Sequence, residues 1–490
     1  MSVEDDVADW LERRSERVIQ TSCAHVYLQA DRALKVKRAV DLGFLDFSTP
    51  DKRKWALDRE LAFNRRTAPD IYRAVHAITQ EPGGAFAFDG DGAAVEWALE
   101  LRRFDDDAVL SNHPHLVDGA LAETLGRTVA RAHIGAPATP DGGGVAALGY
   151  TVSTNAEHLR ALSDTLGADQ VERVIAGTNA VLAAQSPLLE ARRLGGFARH
   201  CHGDLHLGNI VLEHGAPILF DCIEFNDRLS EIDTLYDLAF LIMDLDFRHR
   251  GAAANRVLNA YLDEAARGLP IGLWDGLAAF PLMLSARASV RAHVSAATGE
   301  ATAARDYLAA AERHLRPPKA RLFAVGGLSG SGKTTFAREL APLIAGAPGA
   351  VILRSDEIRK RLWSVASLAP LPSEAYAPAT NACVYAEMLK TASTLLGAGR
   401  PVVLDAAFLA PAERDGAAEL ARRAGVPFQG IWLTGDPTTL RARLASRSAD
   451  ASDADARVLE TQLARAIGPV TWRPIPAEAD FAAEAPALAA

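Results

Sequence analysis

The sequence predicts two domains, an N-terminal α+β domain followed by a C-terminal α/β domain with a parallel sheet. Three features lead to this prediction. The chain has 490 residues, which is too long for one compact core. After residue 319, short apolar runs alternate regularly with helical stretches, as in a βαβα protein. Before residue 316, a few strand patterns come first and mostly helical patterns follow.

The composition excludes several classes of protein. The formal net charge is −10, which disfavours general binding to nucleic acids or to anionic membranes. Neither a signal-peptide pattern nor an uninterrupted apolar stretch is found, so we expect a cytoplasmic protein without membrane contact. Few and scattered cysteines fit a reducing compartment and argue against a structural metal: Cys23, Cys201, Cys222 and Cys383.

The domain boundary is predicted at two prolines, Pro317 and Pro318, which stop a helical stretch at 301–314. An apolar run that begins at Arg321 is the first strand of the second domain. We therefore predict an N-terminal domain at 1–316 and a C-terminal domain at 319–477. An Ala/Glu/Pro-rich flexible tail is predicted at 478–490.

The N-terminal domain opens with strand patterns at 24–29 and 33–36, which flank a tight turn. The Ser48-Thr49-Pro50 sequence then predicts a helix start, with a hydroxyl as N-cap and proline in the first turn. That helix runs to about residue 66. A further strand is predicted at 95–101, and beyond residue 114 the pattern is mostly helical.

The C-terminal domain alternates between strands and helices. Strands are predicted at 322–325, 351–353, 402–404 and 430–433, with helices at 333–345, 380–397 and 412–424. This order predicts a parallel sheet that is covered on both faces.

The strongest motif follows the first of these strands and matches G-x-x-x-x-G-K-[ST]. Its glycines let backbone N–H groups turn towards phosphates, and the following helix N-terminus adds positive potential. Lys333 is predicted to reach the terminal phosphates, and Thr334 to offer its hydroxyl to Mg²⁺. The motif thus predicts ATP and Mg²⁺ as ligands, held by Gly327, Leu328, Ser329, Gly330, Ser331, Gly332, Lys333, Thr334 and Thr335.

Two acids follow predicted strands, where open parallel sheets place their ligands: Asp356 and Asp405. One carboxylate can hold Mg²⁺ and the other can accept a hydroxyl proton; we assign Asp405 to the metal and Asp356 to catalysis. Arg441, Arg443 and Arg447 are either a lid that closes over the phosphate or a solvated helix face.

Together with 355–362 and 448–456, these motifs resemble the P-loop small-molecule kinases of the gluconate-kinase and shikimate-kinase type. The resemblance covers about residues 320–475. It implies that Asp356 and Arg359 lie near the acceptor and that Arg443 or Arg447 is a catalytic lid arginine. The acceptor itself is left open.

The N-terminal domain has its own motif, in which Asp204 precedes Asn209 by five residues and Asp221 follows at a strand end. This order predicts Asp204 as the residue that accepts or orients a hydroxyl proton. Asn209 and Asp221 are predicted to hold a Mg²⁺ ion that bridges the ATP phosphates. His202 is expected to brace the loop by hydrogen bonds rather than to bind a metal.

With the Asp-Leu-Ala segment at 237–239, this motif resembles the aminoglycoside phosphotransferase family, which has a protein-kinase-like fold, over residues 15–315. The resemblance implies a lysine that pairs with a helical glutamate to hold the α- and β-phosphates. Glu60 is the predicted acid. The lysine is Lys35 or Lys37, which share one face of a strand, and Lys35 is favoured.

The sequence also departs from protein kinases. Residues 20–31 contain no glycine, so a glycine-rich phosphate loop is not expected. The segment after Asp221 contains no Ala-Pro-Glu sequence, which argues against protein substrates. We predict an ATP-dependent phosphotransferase with two nucleotide sites that acts on small hydroxyl compounds such as sugars. Three alternatives stay open: one catalytic domain beside a nucleotide-binding regulatory domain, a toxin-like P-loop kinase with a partner domain, and a scaffold without catalysis.

Overall fold

A computed structural model describes residues 3–41, 43, 45–316, 319–445, 451–453 and 455–489. It confirms the predicted fold class, with an α+β domain followed by an α/β domain. The two boundary prolines lie outside the described residues, and the last helix of the first domain ends at His314. Among the helices described here, none combines the length and apolar character that a membrane crossing requires.

The N-terminal domain begins with a six-stranded antiparallel sheet in the order β1-β2-β3-β6-β4-β5. The strands predicted at 24–29, 33–36 and 95–101 are present, whereas three others had no clear sequence signal. The strands and their helices are α1 (Val3–Glu12), β1 (Arg17–Gln20), β2 (Ala24–Leu28), β3 (Arg32–Lys37), α2 (Pro50–Asn64), β4 (Tyr72–Gln80), β5 (Phe86–Phe88) and β6 (Ala93–Arg102).

Helix α2 begins as predicted, because the Thr49 hydroxyl accepts the N–H of Lys52 and Pro50 occupies the first turn. It packs on β4 and β6 through an apolar cluster that includes Leu57 and Leu99. Glu60 is fully buried in this helix and faces β3, so the helix places one carboxylate against the sheet.

A helical lobe follows, with helix α8 at its centre. Twelve residues of α8, from Thr234 to Leu245, are buried in succession, which explains why its sequence is mostly apolar. The elements of this lobe are α3 (Gly119–Gly135), α4 (Gly144–Ala161), α5 (Ser163–Leu166), α6 (Ala168–Leu194), β7 (Ala198–His200), β8 (Ile210–Glu213), β9 (Ala216–Leu219), α7 (Asp227–Ser230), β10 (Glu231–Asp233), α8 (Thr234–Phe247), α9 (Gly251–Ala265), α10 (Phe280–Ala297) and α11 (Ala301–His314).

The C-terminal domain contains the predicted parallel sheet, with five strands in the order β12-β13-β11-β14-β15. The predicted helix at 333–345 ends earlier, at Leu340, because Pro342 cannot continue it. The elements are β11 (Leu322–Gly327), α12 (Lys333–Leu340), β12 (Val351–Arg354), α13 (Ser355–Leu362), α14 (Pro378–Gly397), β13 (Val402–Asp405), α15 (Pro411–Ala424), β14 (Phe428–Thr434), α16 (Pro437–Ala445), α17 (Ala456–Leu463), β15 (Arg473–Pro476) and α18 (Phe481–Ala489).

The prediction of a flexible tail at 478–490 is wrong. Helix α18 occupies most of that segment and packs against α12. Phe481, Ala485 and Leu488 recur at helical spacing and join the apolar cluster on one face of the parallel sheet. The sequence pattern did not reveal this apolar face, because most residues of the segment are alanines. Alanine contributes little to a helical pattern of large apolar residues.

The two domains meet along helix α9. This helix contacts β12, which is the edge strand of the parallel sheet. A continuous cluster of buried apolar residues extends from α9, through Val257 and Leu258, to Val351 and Leu353. The C-terminal sheet is therefore covered on this side by the N-terminal domain.

Candidate active sites

A cavity of about 1030 Å³ lies at the carboxyl ends of the central parallel strands, where such sheets place their ligands. One end is formed by the glycine-rich loop and the start of α12. The other end is formed by α13, α14 and α15. Residues of both ends line the cavity: Ser329, Gly330, Gly332, Lys333, Thr334, Thr335, Asp356, Arg359, Tyr376, Asn381, Tyr385, Asp405, Glu413 and Arg443.

Two glycines of the glycine-rich loop adopt a left-handed backbone conformation that other residues rarely adopt. Gly330 and Gly332 have φ values of 82° and 89°. A Cβ atom on Gly330 would lie 2.7 Å from the carbonyl oxygen of Leu440, so the loop is both left-handed and tightly packed there. Helix α12 begins at Lys333, so its first N–H groups point towards the cavity. The loop geometry therefore matches the anion cradle that the motif predicts.

Two oxygen ligands meet beside this cradle. The Thr334 hydroxyl donates to Asp405 Oδ2 over 2.6 Å, and the Arg354 guanidinium lies 3.6 Å from the same oxygen. A hydroxyl and a carboxylate are the oxygen donors that Mg²⁺ accepts beside phosphate and water. The residues present thus fit the predicted metal.

Asp356 faces the same cavity from the first turn of α13. Burial raises the pKa of its carboxyl above the ordinary value, and the carboxylate of Asp405 acts in the same direction, while the Arg354 guanidinium opposes the shift. A carboxylate with a raised pKa is a better proton acceptor for a hydroxyl group than an exposed one.

The end of the cavity opposite the glycine-rich loop is called the acceptor end here, because the phosphate acceptor is predicted to bind there. It contains residues that no motif indicated: Tyr376, Asn381, Tyr385 and Glu413. Arg359 is placed among them, because its guanidinium donates to Asn381 Oδ1 over 2.7 Å and to the carbonyl of Ala375 over 2.6 Å. Phenols, an amide, a carboxylate and a guanidinium can together hydrogen-bond a molecule with several hydroxyl groups.

The predicted lid arginines have different positions. Arg443 lines the cavity, whereas Arg441 is paired with Glu460 at the surface over 2.7 Å. Arg447 lies outside the described residues. Asp453 contacts the opposite wall, because it accepts from Lys360 Nζ over 2.9 Å and from the Tyr376 hydroxyl over 2.8 Å.

In the N-terminal domain, both candidate lysines contact Glu60. Lys35 Nζ lies 2.7 Å from Glu60 Oε1 and 2.7 Å from Asp221 Oδ1. Lys37 Nζ lies 2.7 Å from Glu60 Oε2 and 2.5 Å from Glu224 Oε1. Burial opposes the charge on Lys35, but the carboxylates of Asp221 and Glu60 hold its pKa well above the ordinary value. Lys35 therefore faces the predicted metal ligand, and Lys37 lies behind it.

This arrangement predicts different roles for the two lysines. Lys37→Met should lower the free energy of unfolding by about 3–5 kcal/mol, because it leaves the buried carboxylate of Glu224 without its cation. Lys35→Met should chiefly weaken Mg·ATP binding at this site, by about 10–100-fold. Urea unfolding and nucleotide titration of both variants test this, and each variant is the control for the other. Equal stability of the two would contradict the assignment.

A buried carboxylate holds the loop that carries Asp204. Asp237 accepts the N–H of His202 over 3.1 Å and the N–H of Gly203 over 2.8 Å. His133 Nε2 lies 3.0 Å from the same carboxylate, and Tyr261 bonds the other ring nitrogen. His133, Cys201 and Asp237 also lie close enough to surround a metal ion, but these hydrogen bonds already account for the histidine and the carboxylate.

Asp204 and Asn209 are adjacent, as the motif predicts. Asn209 Nδ2 donates to Asp204 Oδ2 over 3.0 Å, and His206 Nε2 lies 3.4 Å from the same oxygen. Burial opposes ionisation of Asp204, but His206, His202 and Arg287 together outweigh it and keep the pKa of the carboxyl below the ordinary value. His202 braces the loop, because its Nε2 donates to the carbonyl of Phe220 over 2.8 Å.

Sequence comparisons identify relatives of the whole chain. Uncharacterized proteins of Mycobacterium tuberculosis and Mycobacterium bovis are 31% identical over 465 residues, which cover 91% of this chain and 89% of theirs. The family pattern of the phosphotransferase enzyme family matches residues 47–280, and that of an AAA domain matches 322–469. This chain belongs to the family of fused phosphotransferase and P-loop kinase proteins.

Solved structures with partial similarity include kinases for each domain. A gluconokinase from Sinorhizobium meliloti is 23% identical, with a TM-score of 0.24, and covers 36% of this chain and 90% of its own. An amicoumacin kinase is 14% identical, with a TM-score of 0.39, and covers 64% of this chain and 93% of its own. The match to the phosphotransferase enzyme family and the fused relatives together show that this chain is a kinase-like phosphotransferase.

Proposed function

We propose that both domains of this fused kinase transfer the γ-phosphate of Mg·ATP to hydroxyl groups of small metabolites such as sugars. One observation carries the proposal: in each domain a lysine, two side chains with oxygen atoms suited to a metal and a further aspartate lie close together. In the C-terminal domain these are Lys333, the Thr334–Asp405 pair and Asp356. In the N-terminal domain Lys35 contacts Asp221, Asn209 contacts Asp204, and the two aspartates lie near enough to act on each other electrostatically.

The residues of each site have complementary tasks. The lysine holds the phosphates, and the aspartate accepts or orients the proton of the attacking hydroxyl. Mg²⁺, when bound, neutralises charge on the phosphate oxygens. In the C-terminal domain, Asp405 and Thr334 are the proposed metal ligands, and Arg443 is the proposed lid arginine. In the N-terminal domain, Asn209 and Asp221 are the proposed ligands.

For the C-terminal site, the proposed phosphate acceptors are polyhydroxyl compounds. The side chains at the acceptor end of its cavity are polar and carry both signs of charge, which suits a sugar or a sugar acid better than an apolar alcohol. A gluconokinase and an amicoumacin kinase are among the structurally similar proteins, and both names describe small-molecule kinases.

The experiment measures ADP release with metabolite pools for the wild type, Asp204→Ala, Lys333→Ala and the double variant. Two active sites predict that each single variant loses a different set of acceptors and that the double variant loses all transfer. If neither substitution alters any transfer, the proposal fails. If only one does, the other domain is the nucleotide-binding regulatory module.

A further inference from the structure

Helix α9 of the N-terminal domain supplies hydrogen bonds that a further strand would otherwise supply to the C-terminal sheet. Asn259 Oδ1 accepts the N–H of Ile352 over 2.7 Å. Asn255 Nδ2 donates to the carbonyl oxygens of Pro348 and Ala350 over 2.7 and 2.9 Å. Both asparagines are buried, so these bonds form away from water. The edge of the C-terminal sheet is thus completed by side chains of the other domain.

Arg267, which follows α9, reaches from the N-terminal domain to both ends of helix α13. Its guanidinium donates to Glu357 Oε2 over 2.8 Å, in the first turn of that helix. It also donates to Ser367 Oγ over 3.2 Å and to the carbonyl oxygen of Val365, both beyond the end of the helix. One planar group therefore fixes the start of α13 and the segment after it.

Helix α13 carries residues of the C-terminal cavity. Asp356 and Arg359 are three residues apart on this helix, and both line the cavity. Glu357 is the residue after Asp356. Glu357 points the other way, is 2% exposed and bonds Arg267. The orientation of α13 thus decides whether Asp356 and Arg359 face the acceptor.

Two carboxyl groups, those of Asp263 and Glu357, lie close together where α9 meets α13. Burial raises the pKa of Asp263 on α9 to about 8, and the nearby carboxylate of Glu357 adds to the shift. Glu357 is the carboxylate that the Arg267 guanidinium contacts, over 2.8 Å. A buried carboxylate that lost this partner would be strongly unfavourable in its present place.

We propose that Arg267 is a positioning residue of the C-terminal active site, although it belongs to the N-terminal domain. The inference rests on the function proposed for that site. Arg267 orients α13, and through it Asp356 and Arg359, towards the acceptor. The glycine-rich loop and Lys333 hold the nucleotide from the other end of the cavity. Loss of Arg267 should therefore affect turnover far more than nucleotide binding.

The test uses the full-length chain with Asp204→Asn and Lys35→Met, so that only the C-terminal site transfers phosphate and binds nucleotide tightly. Arg267→Met and Arg267→Lys are compared with Arg131→Met as a matched control. Arg131 also forms an ion pair with α9, to Glu264 over 2.7 Å, but it is 65% exposed and that pair stays inside the N-terminal domain. Three quantities are measured: the Kd of a fluorescent ATP analogue with Mg²⁺, Lys333-dependent ADP release, and amide hydrogen exchange of residues 355–368.

Arg267→Met should lower ADP release about tenfold or more, because small displacements of catalytic groups have large effects on rate. The Kd should change less than about twofold, and exchange of 355–368 should become faster while exchange of the glycine-rich loop stays the same. Arg267→Lys should recover part of the rate, since an ammonium can still pair with Glu357. Arg131→Met should behave like the parent.

Unchanged release and exchange in Arg267→Met would overturn the inference. So would equal losses in release and nucleotide binding with faster exchange throughout the C-terminal domain, which would indicate a purely structural role. If Lys333→Ala itself leaves ADP release unchanged, the proposed function of this site has failed instead. The exchange of 355–368 then still decides whether Arg267 holds α13.

Discussion

Asp204→Asn should reduce phosphate transfer by the N-terminal site about 10²–10⁴-fold, which is the usual contribution of a general base. The substitution keeps the shape of the side chain and its contact with Asn209, but it removes the proton acceptor. Mg·ATP binding should change little, because Lys35, Asn209 and Asp221 remain. Single-turnover transfer and nucleotide titration separate the two quantities.

The control for this variant is Asp107→Asn, which changes an exposed aspartate of the same domain outside the site. It should keep the parental rate. If Asp204→Asn transfers phosphate at the parental rate, Asp204 is not the base and the N-terminal site works by a different arrangement. If it loses nucleotide binding to the same extent as turnover, the loop that Asp237 holds has been disturbed.

Lys333→Met should reduce turnover of the C-terminal site about 10²–10³-fold, comparable to the loss of one preorganised donor to developing charge. Its ammonium lies at the start of α12, where the helix N-terminus and the glycine-rich loop already attract anions. Nucleotide affinity should therefore fall as well. ADP release and the Kd of the ATP analogue are measured in a background that carries both Asp204→Asn and Lys35→Met.

Lys390→Met is the matched control, since Lys390 is an exposed lysine on α14 of the same domain. It should leave both quantities unchanged. Parental turnover in Lys333→Met would contradict the assignment of this loop as the phosphate cradle. If both variants lost turnover and nucleotide affinity to the same extent, the loss would come from removing a positive charge anywhere on the domain.

Sequence reasoning predicted the local geometry correctly where the residues concerned are close along the chain. Three such local patterns have a geometry that follows from their spacing. They are the glycine-rich loop, the pair of Asp204 and Asn209, and the helix start at Thr49. The β3 lysines were placed correctly on one face, and the structure shows that both contact Glu60. The spacing alone could not decide which of the two lysines faces the predicted metal ligand Asp221.

Long-range contacts could not be predicted in the same way. Glu224 joins the lysine network from the segment after Asp221, and Arg267 contacts α13 almost a hundred residues further on. Neither residue carries a motif, because a buried ion pair needs only a correct distance in the folded chain. Asn381 and Tyr385 lie one turn apart on a helix that the sequence predicted, but no motif marks them as site residues, and only the fold brings them to the cavity beside Tyr376.

The central claim is that the chain binds Mg·ATP at two separate places. Calorimetric titration of the full-length protein with a non-hydrolysable ATP analogue and Mg²⁺ tests it most directly. We expect two equivalents for the wild type, with one equivalent lost in Lys333→Met and the other lost in Lys35→Met. A protein that takes up no nucleotide at either site would contradict the account.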